Sequence, residues 1–166
     1  EIMTSRLCQQ LIENHQDFSN SVVMGLQPRG IYFAERIIAE LRKITGKDIP
    51  IAHLDATFYR DDFRRRDSPL LPNKTNVPFL IEGKRVILID DVLASGRMVR
   101  AALDAMTAFG RPKMVELLVL IDRRYNRELP IEPDYVGMKV STVESQRVQV
   151  EWKEQGYAAD HIWMVD

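Results

Sequence analysis

The sequence predicts an α/β protein with a mostly parallel twisted sheet flanked by helices, and three observations predict it. Val86 to Ile89 form a continuous apolar run that ends in Asp90 and Asp91, gives way to the small-residue loop Ala94-Ser95-Gly96, and is followed by a helical stripe of Val99, Ala102, Leu103 and Met106. Ser21 to Leu26 repeat the pattern: an apolar strand, the loop Gln27-Pro28-Arg29-Gly30, then a helix on Ile31, Ala34, Ile37, Ile38 and Leu41 that Gly46 stops. A third strand is expected over Ile49 to Leu54. Strands alternating with helices argue parallel pairing, with ligands held at the carboxyl ends of the strands.

The remaining elements follow in order. Thr4 is a candidate cap for a first helix whose Leu7, Leu11, Ile12, His15 and Phe18 make one stripe. Cys8 and His15 fall on that apolar face and read as a core thiol and a satisfied imidazole. After Tyr59 the chain turns polar and proline-rich through Arg60, the basic run Arg64 to Arg66, and on to Pro78, as suits a lid or hairpin arm. Met114 to Ile121 predict another strand, ending in Asp122-Arg123-Arg124. Tyr135-Val136-Gly137 could offer backbone groups and an aromatic face to a flat ring, or simply pack. Val148, Val150 and Trp152, with Ile162, Met164 and Val165 beyond a turn at Gly156, predict a closing antiparallel pair.

Bulk properties narrow the function. A chain of 166 residues, 45% hydrophobic and 28% charged, suits one domain over 1–166. A formal charge of −1 gives no overall basic field, so nucleic acid would need a local patch. One cysteine excludes an internal disulfide, and three well-separated histidines argue against structural zinc. The apolar runs are too short and interrupted for a membrane span or a signal peptide, so a cytoplasmic protein is expected.

The chemistry concentrates at the two loops. Unpaired N–H groups and the positive dipole end at a helix start favour an anion, Gly96 lets backbone approach closely, and Ser95 adds a hydroxyl. Asp90 and Asp91 beside that anion hole suit two vicinal sugar hydroxyls, while Arg29 and Gly30 suit a diphosphate. No lysine follows the loop glycine, which argues against a Walker-type nucleotide triphosphatase, and no Gly-x-Ser-x-Gly elbow argues for a serine hydrolase.

These residues resemble the type I phosphoribosyltransferases, whose signature is an apolar strand, two acids and a small-residue loop for the 5-phosphate of phosphoribosyl diphosphate. The resemblance runs nearly end to end and is strongest to the branch that joins pyrimidine operon attenuation to uracil phosphoribosyltransferase activity. It is carried by Arg29-Gly30-Ile31-Tyr32-Phe33-Ala34-Glu35-Arg36, Leu54-Asp55 with Tyr59-Arg60-Asp61-Asp62, Val77-Pro78-Phe79 before Gly83-Lys84-Arg85-Val86, Val99 to Ala105, Arg127 to Ile131, and Asp134 to Gly137.

The resemblance implies the type I phosphoribosyltransferase fold, with a small hood and base-recognition segment at about 122–147 and a flexible loop or arm at about 60–78. It implies conversion of uracil and phosphoribosyl diphosphate to UMP and diphosphate, with Asp90, Asp91 and Arg29 as the catalytic set. Gly30, Arg60, the loop Val92, Leu93, Ala94, Ser95, Gly96, Arg97 and Met98, and Tyr135, Val136 and Gly137 would bind substrate. Magnesium would arrive with the substrate near Asp90 and Asp91, without a dedicated cage. The resemblance also implies a homodimer or higher homo-oligomer and an mRNA leader as partner, with Arg123, Arg124, Arg127, Lys139 and Arg147 as candidate contacts.

Departures bear on the reading. Ala94 and Met98 stand where that branch usually has tyrosine and threonine, so one base-facing ring and one phosphate hydroxyl are missing and turnover is expected to be reduced. Gln27-Pro28 replaces a basic residue and threonine, and Asp122 to Arg127 runs one residue longer than usual. Purine-using relatives often place a carboxylate in this loop to handle a ring nitrogen; Ala94 cannot serve, which favours uracil. The alternatives are a non-catalytic, nucleotide-sensing RNA-binding attenuation regulator and a purine-class phosphoribosyltransferase.

Overall fold

The computed structural model describes residues 1–60 and 75–166; the expected arm therefore lies, over 61–74 and its basic run, outside the described residues. In chain order the elements are α1 (Ile2–His15), β1 (Ser21–Leu26), α2 (Gly30–Thr45), β2 (Ile51–Leu54), β3 (Arg85–Leu93), α3 (Arg97–Met106), β4 (Met114–Arg124), β5 (Tyr135–Ser141), β6 (Arg147–Glu151) and β7 (His161–Val165). Strands β1 to β5 form one sheet in the order β2-β1-β3-β4-β5, with every pairing parallel. The last two strands make a separate antiparallel hairpin. No helix among the described residues is long and apolar enough to cross a membrane.

All six residues of β1 and the run Val86–Ile89 of β3 are buried, as central parallel strands covered on both faces must be. Alternation sends Val23, Ile87 and Ile89 to the face covered by Leu7 and Leu11 of α1 and Phe33 and Ile37 of α2. Val22, Met24, Val86 and Leu88 face Val99, Ala101 and Ala102 of α3. The crossovers therefore bring the β1–α2 and β3–α3 loops to one edge of the sheet.

Two boundaries differ from expectation. The first helix starts before Thr4: the Ser5 N–H reaches the Glu1 carbonyl at 3.1 Å, which leaves Thr4 inside the first turn rather than capping it. The segment expected to form the hood is divided. Residues 135–141 complete the main sheet as its edge strand, and the small sheet is built from 147–165. Arg6 of α1 donates to the Val136 and Gly137 carbonyls, satisfying groups that an edge strand would otherwise expose.

Cys8 and His15 are buried as expected. Burial pushes the Cys8 thiol up to about 12, which leaves it an inert packing group. His15 joins three elements: Nδ1 lies 2.6 Å from Ser21 Oγ and Nε2 lies 2.5 Å from Glu116 Oε2, while the Tyr135 hydroxyl donates to Glu116 Oε1 at 3.2 Å. Burial holds the His15 pKa below its ordinary value, outweighing the pull of Glu116. The unfolded imidazole takes up its proton near pH ~6.5, so this contribution is complete above that pH and is lost as pH falls through it. Thermal melts between pH 7.5 and 5.5 should show a steeper loss of Tm for the parent protein than for His15→Gln. Parallel pH profiles would contradict a neutral, buried His15.

Candidate functional site

The acid pair sits inside the second half of β3 rather than after it. Strand pairing with β4 continues to Leu93, opposite Asp122. Asp90 Oδ1 accepts the Asp91 N–H and Asp91 Oδ1 accepts the Val92 N–H, both at 2.8 Å, so each carboxylate is braced by the next amide. Asp91 is buried, and its Oδ2 has no hydrogen-bond partner among the described residues. A buried acceptor left in that state is a place for a donor or a cation to arrive.

Next to the acids, Gln27-Pro28 is a cis peptide and α2 starts at Gly30. A Cβ at Gly30 would lie 2.7 Å from the Ile89 carbonyl and 3.0 Å from Asp90 Oδ1, so only glycine lets this loop close onto the acid strand. Arg29 and the acids face the same cavity, of about 370 Å³, together with Gln27 and Pro28. Arg60, Val92, Met98 and Val148 complete its lining. Six of the residues singled out from sequence thus converge: Arg29, Arg60, Asp90, Asp91, Val92 and Met98.

The electrostatics of the pair are unusual. Burial and the charge of Asp91 push the Asp90 carboxyl well above its ordinary range. Burial also raises Asp91, with the Arg29 guanidinium pulling it back. Two carboxylates this close in a poorly solvated site resist full ionisation until positive charge or hydrogen-bond donors are supplied.

The loop 94–97 adjoins the cavity and is fastened from beneath. Arg127 donates to the Ala94 carbonyl at 2.5 Å and to Asp122 Oδ1 at 2.7 Å. The Ser95 carbonyl accepts from the Glu128 and Leu129 N–H groups, and the Arg97 side chain pairs with Glu128 at 2.6 Å. Ser95 Oγ accepts the Arg97 N–H, and Gly96 turns the chain at φ +89 into α3. Leu93 points away into the core on the α3 face, so it supports the loop without lining the cavity.

Other expected site residues lie elsewhere. Tyr135 is buried, with its hydroxyl between Asn14 Nδ2 and Glu116, and the Val136 and Gly137 carbonyls are engaged by Arg6. A Cβ at Gly137 would come within 2.4 Å of the Leu120 carbonyl, so close packing against β4 requires glycine here. Among the expected RNA contacts, Arg123 donates to Thr142 Oγ1 and the Gln146 carbonyl, and Arg127 is the internal brace just described. Arg124, Lys139 and Arg147 are exposed. Register places Lys139 opposite Asp122 and Ser141 opposite Arg124, which puts Arg124 and Lys139 on the same face.

The sequence reading missed Val148. Its alternation with Val150 and Trp152 was visible, but which strand end the hairpin would meet was not. The reading also missed the bracing function of Arg127, whose only sequence signal was its charge.

The match to known proteins agrees with this geometry. Residues 2–155 match the family described as phosphoribosyl transferase domain. The chain belongs to the phosphoribosyltransferase family. It is 44% identical over 150 residues to the bifunctional protein PyrR of Elusimicrobium minutum, covering 90% of this chain and 83% of that one. It is 42% identical over 158 residues to bifunctional PyrR of Enterococcus faecalis, covering 95% and 87%. Among solved structures it is similar to a hypoxanthine-guanine phosphoribosyltransferase of Bacillus anthracis, with TM-score 0.64, 21% identity, and 88% and 79% of the two chains covered. A hypoxanthine phosphoribosyltransferase of Trypanosoma cruzi gives TM-score 0.67 at 13% identity, covering 89% and 77%. At these identities the structures speak to the fold, a type I phosphoribosyltransferase sheet.

A stability measurement reads the acid pair directly. Asp90→Asn keeps the acceptor for the Asp91 N–H and removes one charge. The raised carboxyl pKa means that ionising Asp90 destabilises the fold as pH rises above ~3.9, with the full cost above its folded pKa. At pH 7.5 without divalent ions, Asp90→Asn should therefore melt higher, by about 2–4 °C for every ~1 kcal/mol of relieved burial and repulsion cost. The gain should shrink toward pH 4; a lower Tm at pH 7.5 would contradict a charge made costly by burial and by Asp91.

Proposed function

We propose that the chain transfers the phosphoribosyl group of phosphoribosyl diphosphate to uracil, giving UMP and diphosphate, and that it also binds an mRNA leader to regulate pyrimidine operon expression. The observation that carries the transferase reading is the buried Asp91 Oδ2, without a partner among the described residues, beside Asp90 in a cavity bounded by Arg29 and by the start of α3. Such a pair suits the two vicinal hydroxyls of a ribose, each hydroxyl donating to a carboxylate. The loop Ser95-Gly96-Arg97 would take the 5-phosphate with its N–H groups, and Arg29 with Gly30 would take the diphosphate. Pro28, Val92, Met98 and Val148 offer an apolar wall for a small planar base.

In this reading the C1′–oxygen bond breaks with its electron pair leaving on diphosphate, the bond from uracil N1 to C1′ forms, and the N1 proton is released. Charge develops on the sugar, so holding both carboxylates ionised beside it and the leaving group beside Arg29 is where the chain contributes most. The residues fit a magnesium ion carried by the substrate. Two carboxylates with a spare buried acceptor stand at the site. The ion would supply charge neutralisation at the diphosphate and ribose oxygens.

The RNA reading rests on the bifunctional relatives and on the exposed Arg124, Lys139 and Arg147.

Diphosphate release measured with uracil against hypoxanthine, guanine, xanthine and adenine tests the transferase reading. Turnover is expected with uracil alone; no turnover at saturating substrate and magnesium, or turnover with a purine, would overturn it. Asp91→Asn should lower turnover at least about tenfold, since a charge-assisted hydrogen bond to the reacting sugar is worth roughly 1.5 to 3 kcal/mol. Unchanged kinetics would remove Asp91 from the ribose. Titrating a leader hairpin into the protein should give binding that weakens steeply with salt, and Arg124→Ala with Lys139→Ala should reduce that slope by about two. Salt-independent binding, or a slope untouched by both substitutions, would count against that surface.

A further inference from the structure

Resting on the uracil reading, we propose that Arg36 is a positioning residue that holds the β6–β7 hairpin over the cavity and thereby sets affinity for the base. The hairpin needs such an anchor. A two-stranded sheet is barely stable alone, and every residue of β7 is exposed. Among the described residues its attachment to the main body runs through Val150 and Trp152, which are buried, through the half-buried Val148 packed on the same core, and through the Arg36 guanidinium.

Arg36 grips both ends of the connection between the two strands. Nε and Nη2 donate to Glu154 at 2.8 and 2.6 Å, and Nη1 and Nη2 donate to Asp160 at 2.7 and 2.8 Å. Asp160 Oδ1 also accepts the Lys153 N–H at 3.0 Å, closing the connection on itself. The planar fork lies over Trp152, 4.5 Å from the ring centroid, and the same indole stacks on Phe33 at 5.8 Å with the rings 13° apart. Phe33 and Arg36 are one turn apart on α2, so they meet the indole as neighbours. The Arg36 charge holds the Asp160 carboxyl down to about 2, and Glu154 below its usual range, so the clamp stays charged across any working pH.

The consequence follows from connectivity. The helix α2 starts at Gly30, directly after Arg29, so the element that presents the diphosphate loop also carries the clamp. Trp152 lies four residues past Val148, about 13 Å along an extended chain. The clamp thus fixes the distance between the phosphate-facing loop and the one cavity residue supplied by the hairpin. The ribose and 5-phosphate groups would hang on β3 and α3, and the diphosphate loop on the start of α2, which its own buried Phe33, Ala34 and Ile37 hold in the core with Val23, Ile87 and Ile89. Releasing it should loosen the base wall and leave the sugar phosphate grip in place. Lysine should not substitute, because a single ammonium cannot engage two carboxylates in a planar fork.

Steady-state kinetics on Arg36→Met, Arg36→Lys and Glu154→Gln, with hydrogen exchange on each, test this. The KM for uracil should rise about tenfold or more in Arg36→Met, stay raised in Arg36→Lys and rise less in Glu154→Gln, while the KM for phosphoribosyl diphosphate stays within about twofold. Amide exchange should accelerate at 147–151 and 161–165 and remain unchanged in β3. An equal rise in both KM values, or unaltered hairpin exchange, would overturn the proposal. Should Arg36→Met fail to fold, Glu154→Gln removes one arm only and is read by the same two criteria. If the parent protein does not use uracil, the function reading fails by itself, and the exchange comparison alone decides the clamp: selective acceleration in the hairpin supports it and no change overturns it.

Discussion

Two neighbouring carboxylates inside a buried strand are the constraint to which the rest of the site conforms. Asp90 and Asp91 occupy positions where an apolar side chain would be the stable choice, and burial together with mutual repulsion pushes both carboxyls upward. The surroundings contain the cost without removing it. Successive amides brace one oxygen of each acid, Arg29 contributes a positive charge, and Gly30 closes the neighbouring loop against the strand. One oxygen of Asp91 still has no partner among the described residues. A site built this way is most stable when it is bound to something rich in donors or carrying a cation, so ligand binding and relief of the acid pair are the same event.

That arrangement requires a parallel sheet. Parallel strands send successive loops to one edge, and only there can the start of α2, the acids of β3 and the start of α3 meet. Much of this was legible beforehand because it depends on local pattern. The continuous apolar runs of β1 and β3 had to be central strands, and Gly46 marked the end of α2 in the sequence itself. What local pattern could not supply was register against distant elements. Tyr135-Val136-Gly137 carries an aromatic, a glycine and free-looking backbone, the same features that a ring-binding turn would show. Only the approach of the Leu120 carbonyl and the reach of Arg6 make it an edge strand. Thr4 failed as a cap for a simpler reason: the Glu1 carbonyl had already opened the helix.

Charge was the least informative signal. Arg29, Arg97, Arg123, Arg127 and Arg147 look alike in sequence, yet their surroundings separate them. Arg29 faces the acid pair, Arg97 is paired with Glu128, Arg123 and Arg127 hold backbone carbonyls, and Arg147 is on the surface. Arg127 illustrates why. Its hydrogen bonds run to a carbonyl thirty-three residues earlier and to a carboxylate five residues earlier, and neither partner is marked by spacing. A guanidinium tying a loop to a strand end is indistinguishable, in one dimension, from a guanidinium waiting for a phosphate.

The site therefore has two mechanical parts with different supports. The acids, the Arg29 loop and the Ser95 loop belong to a sheet edge held by both core clusters, where small displacements would disturb close packing. Val148 belongs to a hairpin that meets the sheet through a few side chains and an ion-paired arginine. The groups that would hold the sugar phosphate fall on the rigid part, together with Pro28, Val92 and Met98 of the base wall, and one residue of that wall, Val148, falls on the part with fewer attachments. In such a division the sugar-phosphate contacts can stay fixed while the base wall is retuned by substitutions in the hairpin or its anchor, without touching the carboxylates that make the site costly to build.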